Sequence, residues 1–175
     1  MHFKIFKYYF INSFDTNNLK KQDKETIIIY RNYSSKNIDI TKLMKLKKFL
    51  RKQGNKLFIA NNFKLALKLG LDGIYIPSFN KEFYHLAYST TLNFEIVGSA
   101  HNLKEIRTKE LQKVQKIFIS SLFKKNKNYL GLNKFKILKK FTKKEVIALG
   151  GISNRNIKKI HLAKLSSIAG ISYFK

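Results

Sequence analysis

Short apolar runs rich in Ile, Phe, Tyr and Val alternate with lysine-rich amphipathic stretches along the whole chain. Eight of the runs read as strands: Lys7–Ser13, Thr26–Asn32, Lys56–Asn61, Gly73–Pro77, Phe94–Ser99, Lys116–Ser121, Glu145–Gly150 and Ser167–Ser172. Brief, nearly continuous apolar runs suit strands buried on both faces, as in a parallel sheet covered by helices. Between them, Thr41–Gln53 sets Leu43, Leu46, Phe49 and Leu50 at helical spacing and stops at Gly54. Phe63–Leu69 puts Leu65, Ala66 and Leu69 on one face and stops at Gly70. Asn102 is placed to cap a helix running to Lys113. A fourth helix covers Lys134–Phe141, and a fifth starts at Ser153 or Asn154 and runs through Leu165.

Strands alternating with helices imply a parallel α/β sheet, and eight of them favour a closed (β/α)8 TIM-type barrel in a single domain, residues 1–175. The barrel is short, since this architecture usually takes about 250 residues. The first connection, Phe14–Glu25, is polar and holds at most one helical turn, and no helix follows strand eight. The bare apolar flank this leaves predicts a homodimer that covers it, or a marginally stable monomer.

Composition narrows the function. A hydrophobic fraction of 44% is enough for a packed core and excludes a disordered basic protein. With no cysteine there is no disulfide, thiolate zinc site or cysteine nucleophile, which fits a cytoplasmic protein. Lys4 and Lys7 break the apolar run of MHFKIFKYYFINSF, which reads as a first strand and not as a signal peptide. No run approaches the roughly 18 apolar residues of a membrane span. The formal net charge of +26 raises nucleic-acid binding through phosphate neutralisation. The lysines, however, are spread over nearly every helix, and no nucleic-acid-binding motif accompanies them. A barrel that binds a polyanion is therefore kept as an alternative; attraction of small anionic substrates is the milder consequence of the same charge.

In a parallel barrel the chemistry collects where strands end and loops begin. Those positions here are mostly amides, hydroxyls and glycines, with few carboxylates, a set suited to binding anions. EVIALGGISNRN, residues 145–156, runs a strand into Gly150-Gly151 and then a helix, an arrangement whose amides and helix dipole attract phosphate. Gly170 and Ser172 end the neighbouring strand. In EIVGSAHN, residues 95–102, Ser99 and His101 sit at a strand mouth, and His101 can exchange protons near neutral pH. His2 is terminal, His85 follows an irregular stretch, and His161 lies in a helix; none of the three is a strong candidate. Arg31 ends strand two and suits a phosphate or carboxylate. Lys124, Lys125 and Lys127 precede Leu130-Gly131-Leu132 in the loop after strand six. No His/Asp/Glu cluster has metal-ligand spacing.

Taken in order, IANNFKLALKLGLDGIYIP (59–77), VGSAHNLKEI, LGL and ALGGIS resemble the thiamine phosphate synthase and TenI family over nearly the whole chain. The resemblance implies a barrel that binds a thiazole phosphate and, in its synthase branch, a pyrimidine pyrophosphate with Mg2+. There the pyrophosphate leaves and the thiazole nitrogen captures the pyrimidine cation. By resemblance Gly151 and Ser172 contact the thiazole phosphate with Gly150 and Gly170 beside them. Ser99 lies next to the pyrophosphate, Lys127 is the loop lysine, and Arg31 matches the arginine of a Q-x-R-x-K strand. The chain departs from that pattern at Ile29 and Tyr33, in place of Gln and Lys. The family's Asn-Asp pair falls on Ala60 and Asn61, and its second magnesium aspartate falls near Asn80. Two lost negative charges weaken a magnesium site, so Mg2+ is implied only by the resemblance. His101 supports a second reading within the family, a metal-free thiazole tautomerase, or a non-catalytic thiazole phosphate binder.

Overall fold

The structure, a computed structural model, describes residues 5–32 and 38–175. Eight parallel strands close into a barrel in chain order: β1 (Phe6–Ile11), β2 (Ile27–Tyr30), β3 (Leu57–Ala60), β4 (Gly73–Ile76), β5 (Glu95–Ala100), β6 (Lys116–Ile119), β7 (Glu145–Leu149) and β8 (Ser167–Gly170). Pairing of Phe6 with Ser167 and of Tyr9 with Gly170 joins β1 to β8 and completes the ring. His2 and Tyr33 lie outside the described residues.

Alternation along each strand divides the core in two. Tyr8, Phe10, Ile29, Phe58, Tyr75, Val97, Phe118 and Ile147 fill the interior, and the other strand face packs against the helices. The interior is built on rings meeting edge to face: Phe10 and Tyr75 have centroids 5.0 Å apart, and Tyr8 and Phe118 5.1 Å. Such contacts add about 0.5–1.5 kcal/mol each to burial alone.

Below these rings, at the amino-terminal end, lies a cluster of charges. Lys116 Nζ is 3.0 Å from the Tyr8 hydroxyl, 3.4 Å from Glu95 and 3.6 Å from Glu145. Lys56 pairs with Glu95 at 2.8 Å, and the Ser167 hydroxyl donates to Glu145 at 2.7 Å. Burial disfavours a charge on Lys116, but the Tyr8 bond and the two carboxylates outweigh it and raise its pKa.

The helices are α1 (Thr16–Lys20), α2 (Ile40–Gln53), α3 (Phe63–Lys68), α4 (Leu103–Leu111), α5 (Gly131–Lys140) and α6 (Ile157–Leu162). As expected, Gly54 ends α2 in a left-handed conformation and Asn102 caps α4. Several boundaries differ from expectation, three of them after β6, β7 and β8. The helix before β7 begins at Gly131, three residues earlier than Lys134. The last helix begins at Ile157 and not at Ser153 or Asn154, because the Asn156 side chain accepts from Ser153 N and donates to Gly151 O, holding 151–156 as a loop. Strand eight stops at Gly170, and Ser172 opens a 3-10 turn through Phe174.

Among the described residues no α-helix follows β8, and that turn covers part of the flank. Phe174 stacks on Tyr9 with centroids 4.9 Å apart, and Gln22 Nε2 donates to Phe174 O at 3.0 Å. A cavity of about 380 Å3, lined by Ile5, Lys7, Ile157, His161 and Tyr173, remains on that side. Between β4 and β5 there is likewise no α-helix, only a 3-10 turn, Tyr84–Ala87.

Candidate active site

Register carries polar side chains to the carboxyl-terminal mouth. Arg31 follows β2, and its guanidinium lies 4.8 Å above the Phe10 ring. Tyr75, one layer into the barrel, donates its hydroxyl proton to Ser99 Oγ at 2.8 Å. Burial raises the Tyr75 pKa; the Ser99 hydrogen bond and the Arg31 charge pull it back. Arg31, Tyr75 and Ser99 thus run as one polar line across β2, β4 and β5. Beside it opens a cavity of about 140 Å3 lined by Asn12, Ser13, Asp15, Arg31 and Ile171.

At the end of β5, one carboxylate fixes His101. Glu105 Oε2 accepts from His101 Nδ1 and from the His101 main-chain N–H, each at 2.8 Å. Asn102 and Glu105 form the reciprocal cap of α4: Asn102 Oδ1 accepts from Glu105 N at 2.9 Å and Asn102 Nδ2 donates to Glu105 Oε1 at 3.0 Å. A carboxylate only accepts, so Nδ1 carries a proton and, in the neutral ring, Nε2 holds the lone pair. The imidazole is half-buried, with 24% of its side chain exposed. A carboxylate holding one ring nitrogen leaves the other ready to take up a proton.

On the opposite wall, Leu149 pairs with Ala169, so Gly150 and Gly170 leave adjacent strand ends side by side. Gly150 and Gly151 have φ of +103° and +73°. A Cβ on Gly150 would lie 2.5 Å from Ser121 Oγ, and one on Gly151 2.5 Å from the Lys124 nitrogen. The Gly150 carbonyl accepts from Phe123 N at 2.8 Å and Lys124 N at 3.3 Å. Both glycines are therefore required by packing against the β6–α5 loop. With α6 starting six residues beyond Gly151, its N-terminus does not reach this turn, so the expected help from a helix dipole is absent. Any anion here meets the turn's own amides.

The fourth wall is the corner where β3 and β4 end. Asn61, at φ +59°, accepts at Oδ1 from Asn80 Nδ2. Asn80 Oδ1 accepts from Glu82 N at 2.7 Å. Lys109, fully buried in α4, reaches Asn80 O with Nζ at 2.7 Å and Gln112 Oε1 at 2.8 Å. Burial lowers the Lys109 pKa to about 8. The exposed Lys127 sits in the β6–α5 loop, as do Lys124 and Lys125. His161 is exposed on α6, and His85 is buried, with Nε2 2.7 Å from Gln112 O.

The sequence profile described as thiamine monophosphate synthase matches residues 18–174. The chain belongs to the thiamine monophosphate synthase family. A thiamine-phosphate synthase of Methanococcus vannielii is 32% identical over 82 residues, covering 44% of this chain and 40% of that protein. A thiamine-phosphate synthase of Methanococcus maripaludis is 24% identical over 132 residues, 73% of this chain and 63% of that protein. The chain thus spans less than two thirds of the length of either relative. Among solved structures, the thiamine phosphate pyrophosphorylase of Pyrococcus furiosus superposes with a TM-score of 0.76 at 19% identity, over 97% of this chain and 85% of that one.

Membership of the thiamine monophosphate synthase family raises the question of Mg2+, and the corner of this member does not fit it. The two residues at the implied magnesium positions, Asn61 and Asn80, are neutral and spend an acceptor and a donor on each other. The adjoining Asn80 carbonyl already accepts from Lys109 and Gln112. Among the described residues no group of three His, Asp or Glu side chains is placed to hold a metal ion, and no helix is long and apolar enough to cross a membrane.

The structure adds three residues that sequence reasoning overlooked. Glu105 was legible in the pattern Asn-x-x-Glu, a capping box beginning one residue after His101. Tyr75 reads as an ordinary core ring until Ser99 is set beside it. Nothing in the sequence separates Lys109 from the surface lysines of α4.

Proposed function

We propose that this chain binds a phosphorylated thiazole across the carboxyl-terminal mouth and moves a proton on its ring through His101. The observation carrying this reading is the Glu105 carboxylate at 2.8 Å from His101 Nδ1, which leaves Nε2 as the base. The phosphate would lie at the ends of β7 and β8, against the amides of Gly150, Gly151, Gly170 and Ser172. Ser99, already accepting from Tyr75, has its own hydroxyl proton to donate to the ligand. Positioned acid–base groups contribute about 10²–10⁴ in rate. Metal-free isomerisation of thiazole carboxylate phosphate is therefore expected in the wild type, falling at least roughly a hundredfold in His101→Ala. Full rate in that variant would remove His101 from the chemistry.

The second reading is coupling of a pyrimidine pyrophosphate to thiazole phosphate. It is favoured by the names of the relatives and by Arg31, which with Lys127 would supply the charge for a second anion. Thiamine phosphate formed from both substrates and Mg2+ would support it; a yield no higher than a protein-free blank would exclude it.

A further inference from the structure

The Asn61–Asn80 corner is fixed in an orientation with chemical consequences. Asn80 Oδ1 is committed to the Glu82 main-chain N–H at 2.7 Å. The face of the amide turned to Asn61 is consequently Nδ2, a donor, and Asn61 answers with its oxygen. Swapping the two Asn80 atoms would set an NH2 group against an N–H and an oxygen against an oxygen. A cation entering between the two residues meets one side-chain oxygen already engaged and one N–H. A further acceptor, the Asn80 carbonyl, holds the Lys109 ammonium at 2.7 Å and Gln112 Nε2 at 3.1 Å. A divalent ion there would be repelled by a fixed positive charge and would have to strip two hydrogen bonds.

Formal charge at the corner is balanced as well. Two carboxylates and one divalent cation sum to zero, and two amides also sum to zero. An anionic ligand arriving at this corner therefore meets the same formal charge either way. The side-chain amide N–H groups of Asn61 and Asn80 offer it direct hydrogen bonds.

We infer that the β3–β4 corner receives a phosphate or diphosphate group directly on amide N–H donors, without a divalent cation. The inference is independent of which reaction the mouth performs. Glu82, whose side chain also lines this corner, is the carboxylate that must be controlled for.

The test uses inorganic pyrophosphate and the intact protein at physiological ionic strength. In EDTA, wild type is expected to bind pyrophosphate by calorimetry. The double variant Asn61→Asp/Asn80→Asp should bind it roughly tenfold or more weakly, because two negative charges now face the anion. Mn2+ should restore that affinity in the variant, with a bound-ion signal in its electron paramagnetic resonance spectrum. A wild type that binds pyrophosphate only with Mn2+, or not at all, overturns the inference, as does a double variant that binds in EDTA as well as wild type. Should the variant fold poorly, the wild type suffices: its Mn2+ spectrum should remain that of the free ion. Stoichiometric Mn2+ binding, lost in Glu82→Gln, would contradict the inference outright.

Discussion

Lys116, at the amino-terminal end of the barrel, has a phenol and two carboxylates within 3.6 Å, while at the other end His101 has one carboxylate partner and Ser99 one hydroxyl. The amino-terminal cluster neutralises itself: Lys56, Lys116, Glu95 and Glu145 carry two charges of each sign. The carboxyl-terminal mouth leaves Arg31 and the strand-end amides facing an opening. One end is a stopper whose charges cancel, and the other, in the proposed function, is a receptor lined by amides, hydroxyls and Arg31. In the proposed function the same strands serve stability at one end and ligand chemistry at the other.

Breaking the stopper should cost most in stability and least in function. Lys116→Met leaves Glu95 with Lys56 alone and takes the cation from Glu145, and is expected to lower unfolding stability by about 2–3 kcal/mol, below a fully buried pair because the Lys116 side chain is 24% exposed. Urea denaturation measures this, and ligand affinity in the folded fraction should not move. Gly151→Ala should reverse the balance. Its positive φ and the 2.5 Å approach of a Cβ to Lys124 cost about 2 kcal/mol, and binding of a phosphorylated ligand should fall further than stability does. Tyr75→Phe removes the donor to Ser99 and should cost about 1 kcal/mol.

Two pH effects separate the ends again. The Lys56 bond and the Lys116 charge, working against burial, lower the Glu95 pKa. Its contribution is therefore present above the unfolded carboxyl value and is lost as pH falls through the lower folded value. Wild type should lose stability in acid more steeply than Glu95→Gln. Lys109 runs the other way, its pKa falling to about 8 on burial. Between about 8 and the ordinary lysine value of about 10.4 the unfolded chain holds the extra proton, so stability rises with pH. Lys109→Met should abolish that rise and speed amide exchange at Glu82, whose loop Lys109 anchors.

The fold was legible because period and propensity agree in nearly every element. β-branched and aromatic runs leave little choice but buried parallel strands, and Gly54 and Asn102 mark helix ends through local backbone chemistry. Boundaries slipped where a side chain overrode propensity. Asn156 holds 151–156 as loop although the sequence there suits a helix start, and Phe174, stacked on Tyr9, turns the chain after Gly170. The candidate site was legible one strand end at a time. His101, Ser99, Gly151 and Arg31 announce themselves by position, but Glu105 matters only through its reach to His101, and Lys109 only through burial that no local pattern encodes.

In the proposed function the carboxyl-terminal mouth is the receptor. Titrating isotope-labelled protein with thiazole phosphate and following backbone amide shifts tests this directly. The predicted result is a saturable set of shifts at Gly150, Gly151, Gly170 and Ser172, with Lys116 and its neighbours unmoved. Shifts scattered over the surface lysines of α2, α4 and α5, or centred on the amino-terminal cluster, would contradict it.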